Sequence, residues 1–162
     1  MTLLIFIGLG IAFCFSFVVL FGAPYLPTLN KQLEISLDLL DLQPGQTMLE
    51  LGCGDGRVLV AAAERGWNVV GYELNPILAC LAWLRTRKFG RNVRVVCGNF
   101  WWRKWPVTDG IFGFILPRYM SKLDKKVIQE CRKPVKVVSF AFAIQGRKPT
   151  KKKDGVFMYV YR

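Results

Sequence analysis

Three glycines at every second position and two acids share one stretch of this chain, Glu50-Leu51-Gly52-Cys53-Gly54-Asp55-Gly56-Arg57. It follows a short apolar run and opens a helical one. Glycine has no Cβ, so such a loop turns tightly and lets a ligand approach the backbone. The helix behind it offers N–H groups without intrahelical partners. Two classes of ligand use this arrangement. A dinucleotide fingerprint is G-x-G-x-x-G, with the pyrophosphate on the helix end. Here the spacing is G-x-G-x-G, and Arg57 stands where the last glycine of the fingerprint belongs. Glu50 and Asp55 add two carboxylates, which suit a ligand carrying a sulfonium and an ammonium and repel a pyrophosphate. Both arguments favour S-adenosylmethionine over NAD, held by Glu50, Gly52, Cys53, Gly54, Asp55 and Gly56.

Two further positions fit the same ligand. Glu73 ends the apolar run Val69-Val70-Gly71-Tyr72, one strand and helix after the loop. An acid there can accept hydrogen bonds from both hydroxyls of a ribose, as it does in nicotinamide folds. Leu74 follows it directly. Gly98-Asn99-Phe100 comes after the next apolar run. Asn99 can bond an adenine amino group and Phe100 can flank the ring; the plainer alternative is a turn asparagine beside a core phenylalanine.

The elements that must position these residues alternate in type. A helix from Thr28 or Asn30 to about Leu42 carries Leu33, Leu37 and Leu40 as a stripe. Strands are expected at Met48–Leu51, Trp67–Tyr72, Val93–Cys97, Gly110–Leu116 and Val135–Ala141, with a last one at Val156–Tyr161. Helices are expected at Arg57–Arg65, Pro76–Phe89 and Ser121–Cys131. Strands alternating with helices make an α/β fold with a doubly wound, mostly parallel sheet. So little chain follows the fifth strand that a shortened C-terminal end, with one antiparallel final strand, is expected. The basic tract from Gly146 to Asp154 is expected to be mobile.

These motifs resemble those of the class I, or seven-strand, S-adenosylmethionine-dependent methyltransferases. More narrowly, the chain is similar to the membrane-anchored ATP synthase c-subunit and adenine nucleotide translocase lysine N-methyltransferases. Gly52 to Arg57 is similar to that family's G-x-G-D-G-R loop, and Gly71 to Pro76 to its G-Y-E-L-N-P segment. Asn99-Phe100-Trp101 resembles its D-L-W, Phe112 to Met120 its F-G-x-P-x-M, and Ser139-Phe140 the region of its R-F pair. Glu50 and Cys53 replace the commoner Asp and Ser, Asn99 replaces an acid, and two extra residues precede Pro117.

The resemblance implies methyl transfer to a lysine. That reaction is an in-line displacement at an already activated carbon, so the protein mainly supplies alignment. The acceptor belongs at the carboxyl edge of the sheet, after the fourth strand. Leu116, Pro117 and Tyr119 are the catalytic candidates there: the Leu116 carbonyl and the Tyr119 hydroxyl can orient an amine. Tyr119 can equally be a packing residue at a helix start. Trp101, Trp102 and Trp105 can line a lysine channel or lie at a membrane interface.

The bulk properties point towards a membrane. Leu3 to Ala23 carries no charge, and Ser16 is its only hydroxyl. As a helix it would span roughly 31 Å, about one hydrocarbon core. Residues 1–23 are therefore expected to be a retained single-pass anchor, with a cleaved signal peptide or a buried hairpin as alternatives. Residues 24–46 form a connector and helix, and residues 47–162 the S-adenosylmethionine-binding domain. All 23 Lys and Arg lie beyond the apolar run. The positive-inside rule then puts the domain on the cytoplasmic side. The net charge is +12. Attraction to an anionic leaflet explains it better than nucleic acid does, given the anchor. The expected partners are thus membrane lipid and a protein acceptor in or near the membrane. Methylation of a lipid or small lipophilic molecule, and a degenerate membrane-bound binding module, are the alternatives. The sequence has no histidine, and its 5 cysteines make no C-x-x-C pair, so histidine-based triads are excluded and no metal site is expected.

Overall fold

The computed structural model describes residue 5 and residues 28–162. Apart from Ile5, the expected anchor and the first connector residues lie outside the described residues. Among the described residues no helix is long and apolar enough to cross a membrane.

The chain runs α1 (Asn30–Leu40), β1 (Thr47–Leu51), α2 (Arg57–Glu64), β2 (Asn68–Glu73), α3 (Pro76–Thr86), β3 (Val93–Cys97) and β4 (Gly110–Gly113). It continues with α4 (Met120–Glu130), β5 (Val135–Phe140), β6 (Lys151–Lys153) and β7 (Val156–Tyr161). Short 3₁₀ turns cover Arg87–Asn92 and Pro117–Tyr119. The strands form one seven-stranded sheet in the order β3-β2-β1-β4-β5-β7-β6. Strands β1 to β5 pair in parallel, and β7 runs antiparallel to both its neighbours. Strand order reverses at β1, which has β2 on one side and β4 on the other. Ligands of such sheets bind outside the carboxyl ends of the strands at that reversal.

Two apolar layers hold the sheet. One joins Leu33, Leu37 and Leu40 of α1, Val58 and Leu59 of α2 and Ala82 of α3 with Met48, Phe112 and Val138 of the sheet. The other joins Met120, Leu123 and Val127 of α4 with Leu49, Ile111, Val137 and Tyr159, and adds Trp105 from the segment after β3. Burying each large side chain stabilises the fold by about 1.5–3 kcal/mol. At the last strand, the Tyr161 hydroxyl donates to Asp124 Oδ1 at 2.6 Å, and Arg147 Nε donates to the same oxygen at 2.7 Å.

Three expectations change. The N-cap of α1 is Leu29, not Thr28 or Asn30, and among the described residues no side chain caps that helix. Strand β4 stops at Gly113, not Leu116. Its neighbour β1 ends at Leu51, where Gly52 turns away with φ 86°, so Phe114–Leu116 have no strand to pair with on that side. The C-terminal end is not reduced to a single final strand. Residues 141–150 connect without a helix, but Lys151–Lys153 form β6 inside the tract expected to be mobile. The reason is the two-residue turn Asp154-Gly155, with φ 45° and 78°. Positive φ at both positions matches the twist of a tight hairpin, and Asp-Gly adopts it readily.

Candidate cofactor and acceptor site

The glycine loop is pinned to the tip of β2. The N–H groups of Gly52 and Cys53 both donate to the Tyr72 carbonyl at 2.9 Å. The Gly54 N–H donates to Glu73 Oε2 at 2.8 Å. The Gly56 N–H closes the turn onto the Cys53 carbonyl at 2.8 Å. Two glycines are required for different reasons. Gly56 has φ 80°, and a Cβ there would lie 2.9 Å from Ala82 Cα, so α2 and α3 meet over it. Gly52 is exposed with φ 86°, and a Cβ there would meet no atom within 4 Å. The space beside Gly52 is therefore open to a ligand. Cys53 turns inward and packs against Gly71. Burial pushes its thiol well up, and Glu50 and Glu73 add to the shift, so it is a packing residue rather than a nucleophile.

The three carboxylates have distinct environments. Glu73 is buried; its Oε1 accepts from the Asn75 N–H at 2.8 Å, and the Leu74 backbone bonds the same carboxylate. Burial raises its pKa in spite of these donors. Gly54, Asn75 and Leu74 take three of its roughly four lone-pair sites, which leaves about one to the ribose hydroxyls. Asp55 does not act as a free carboxylate. Arg57 binds it through Nε at 3.2 Å and Nη2 at 3.1 Å, and Arg85 of α3 through Nη1. Burial pushes the Asp55 carboxyl up, but the two guanidiniums outweigh it and hold it at about 2. Asp55 therefore ties the start of α2 to α3 and leaves Glu50 as the carboxyl for a cation, whose charge on binding would favour the ionised form. Glu50 is 3% exposed, and its Oε2 has no hydrogen-bond partner among the described residues. Burial raises its pKa well above the carboxylate range, with Glu73 and Asp55 adding to it.

S-adenosylmethionine fits these residues. The orphaned Glu50 oxygen and the open flank of Gly52 suit a cationic ligand, and Glu73 suits its ribose. When bound, it supplies a methyl group already activated by the sulfonium. The raised pKa of Glu50 has a consequence for stability. A carboxyl whose pKa is raised by folding adds stability below its unfolded value, and that stability is lost as pH rises through the folded value. Glu50→Gln is expected to raise the melting temperature of the cofactor-free chain at pH 8 more than at pH 5. Melting curves at the two pH values check this; an equal shift at both overturns it.

The remaining candidates separate. Asn99 Oδ1 accepts the Trp101 N–H at 2.9 Å, as a turn asparagine does, and keeps a second lone pair for an adenine amino group. Phe100 is half-buried beside Trp101, with ring centroids 4.6 Å apart. Trp101 in turn faces Tyr119 at 6.0 Å. The Leu116 carbonyl accepts the Tyr119 N–H at 2.9 Å and so closes the Pro117–Tyr119 turn. The three tryptophans do not line one channel. Trp105 is 5% exposed with its Nε1 donating to the Phe100 carbonyl, Trp102 is 83% exposed, and only Trp101 faces Tyr119. Sequence reasoning missed two features. Asn75 caps α3 by accepting the Ile77 N–H at 2.9 Å, a role its Asn-Pro dipeptide signals. Phe114 packs against Phe140 and Phe142 at 4.8 and 6.2 Å, adding an aromatic cluster at the carboxyl ends of β4 and β5.

The strand order, the glycine loop after β1 and the acid ending β2 define a class I S-adenosylmethionine-dependent methyltransferase domain. An RNA methyltransferase from Salinibacter ruber, solved with S-adenosyl-L-homocysteine, superposes with a TM-score of 0.76 at 25% identity. The match covers 84% of this chain and 92% of that one. The family model of the ANTKMT methyltransferase domain matches residues 50–151, and the chain belongs to that family. It is 31% identical over 150 residues to a protein-lysine N-methyltransferase of Saccharolobus islandicus, covering 85% of this chain and 92% of that protein. It is 30% identical over 121 residues to the human lysine N-methyltransferase of the ATP synthase c-subunit. That match covers 74% of this chain and 52% of the human protein, so the chain spans about half the length of this relative.

Proposed function

We infer that this chain is a protein-lysine N-methyltransferase that uses S-adenosylmethionine and acts on a membrane or membrane-proximal protein. The observation that carries the reading is the likeness to the Saccharolobus islandicus enzyme across 92% of its length. The site is compatible with it. The rings of Trp101 and Tyr119 already take cations, with Lys122 4.6 Å and Arg118 4.9 Å over them, and such rings attract a lysine ammonium in the same way. Desolvation there lowers the amine pKa and favours the neutral nucleophile. The Tyr119 hydroxyl and the second lone pair of the Leu116 carbonyl are the groups assigned to orient it.

Residues 3–23 and the basic surface attach the chain to a membrane, with the domain on the cytoplasmic side. Support comes from the uncharged run itself, the charge asymmetry, and the human relative's name, which gives a component of ATP synthase as its acceptor.

The test is incubation of the full chain in detergent with methyl-labelled S-adenosylmethionine and solubilised membranes. Label on protein bands, recovered as methyl-lysine after hydrolysis, is the expected result. Label in the organic phase would place the acceptor among lipids. An unlabelled reaction from a chain that also fails to bind the cofactor would make it a degenerate module.

A further inference from the structure

Among the described residues, helix α3 leaves an apolar face without a partner. Advancing about 100° per residue, its buried positions Leu78, Ala79, Ala82 and Thr86 gather on one side, against β2, β3 and α2. Ile77, Cys80, Leu81 and Leu84 gather on the other. Leu81 is 47% exposed and Leu84 45%, and Trp83 at the flank is 57% exposed. An ordinary surface helix carries polar residues there. The face runs directly into bases. Arg87, Lys88 and Arg91 follow within two turns, Arg94 lies on the adjoining edge strand, and all four are exposed. No acid occurs between Glu73 and Asp109, and Lys88 pairs at the surface with Glu64 of α2 at 3.3 Å.

An apolar stripe flanked by tryptophan and bases is the composition of a helix lying in a bilayer interface. A second copy of the chain fits poorly, because a two-fold contact sets like bases against one another. RNA would be met by leucines and a half-buried isoleucine between the bases. We propose that the outer face of α3, with Ile77, Leu81, Trp83 and Leu84 inserted and Arg87, Lys88 and Arg91 at the headgroups, docks on an anionic bilayer surface. It rests on the membrane-attachment reading above and adds a second, lipid-selective contact to it. Asn75 caps the same helix and Glu73 precedes it, so docking fixes the cofactor loop relative to the bilayer.

The experiment uses the full chain with vesicles of acyl-brominated phosphatidylcholine, with and without phosphatidylglycerol. Flotation reports attachment of the whole chain. The quenching that disappears in Trp83→Phe reports the position of Trp83 alone. The expected result is flotation with both vesicle types, with Trp83 quenched only when phosphatidylglycerol is present. Quenching is lost at high salt and in Leu81→Gln/Leu84→Gln, whose circular dichroism and cofactor titration stay unchanged. Failure to float overturns both readings. Flotation with Trp83 unquenched, or quenched equally by both vesicles, overturns this one alone. So does self-association, or binding of a mixed-sequence RNA, that the double variant abolishes while Trp83 stays unquenched.

Discussion

Replacement of Glu73 by alanine is expected to weaken S-adenosylmethionine binding by about a hundredfold, since hydrogen bonds to a charged group contribute about 1.5–3 kcal/mol each. The carboxylate does two things at once. It is assigned the ribose hydroxyls, and it holds the Gly54 N–H at 2.8 Å. Alanine removes the ribose contacts and frees the glycine loop from β2. Stability should fall much less than affinity. Burial of Glu73 works against its ionised form, so the cofactor-free fold gains from losing the charge while it loses the bonds to Gly54 and Asn75. Titration calorimetry and a melting curve separate the effects. A large drop in melting temperature with unchanged affinity would make Glu73 a structural brace and remove it from the cofactor site.

Gly56→Ala is the second large effect, and it acts in the opposite manner. The added Cβ meets the Ala82 backbone at 2.9 Å and forces a left-handed residue, φ 80°, to carry a side chain. Left-handed strain costs about 1–2 kcal/mol and overpacking about 1–3, so roughly 2–5 kcal/mol together. For a domain of this size that corresponds to a melting temperature lowered by roughly 5–20 °C. Gly45→Ala is the matched control, because Gly45 shares the backbone conformation, φ 84°, but a Cβ there meets nothing within 4 Å. Differential scanning calorimetry of the two variants isolates the contact between α2 and α3. Equal losses would mean that backbone strain alone accounts for Gly56.

The parts of this molecule legible in the sequence are those decided locally. The loop from Gly52 to Gly56 needs a turn after a strand, and its glycines state that without reference to the rest of the chain. Glu73 is legible because one strand and helix separate it from the loop. Pairings across long stretches are not. Asp55 is answered by Arg85, 30 positions away, and nothing near Asp55 announces that its charge is cancelled there. Glu50 reads the same as Asp55 in the sequence, yet burial leaves one of its oxygens unpartnered. Trp101, Trp102 and Trp105 are neighbours in the chain, but after the turn begun by Asn99 the first two line one surface cleft while Trp105 is buried. Strand β6 was hidden by its composition. Lysine is a poor strand former, so Lys151-Lys152-Lys153 suggested a solvated tract. The Asp-Gly pair before an apolar run was the signal that outweighed it.

That lysine strand has a consequence for how copies of the protein behave in a crowded solution. Every open sheet ends in backbone groups that could template another chain, and natural proteins protect such margins with short strands and charge. Strand β6 is three residues long and all three are exposed lysines. At the opposite margin, β3 carries exposed Arg94 in mid-strand. Any margin-to-margin encounter of two molecules thus brings cation against cation. A sheet that could grow into a fibril is kept finite by electrostatic repulsion at both ends.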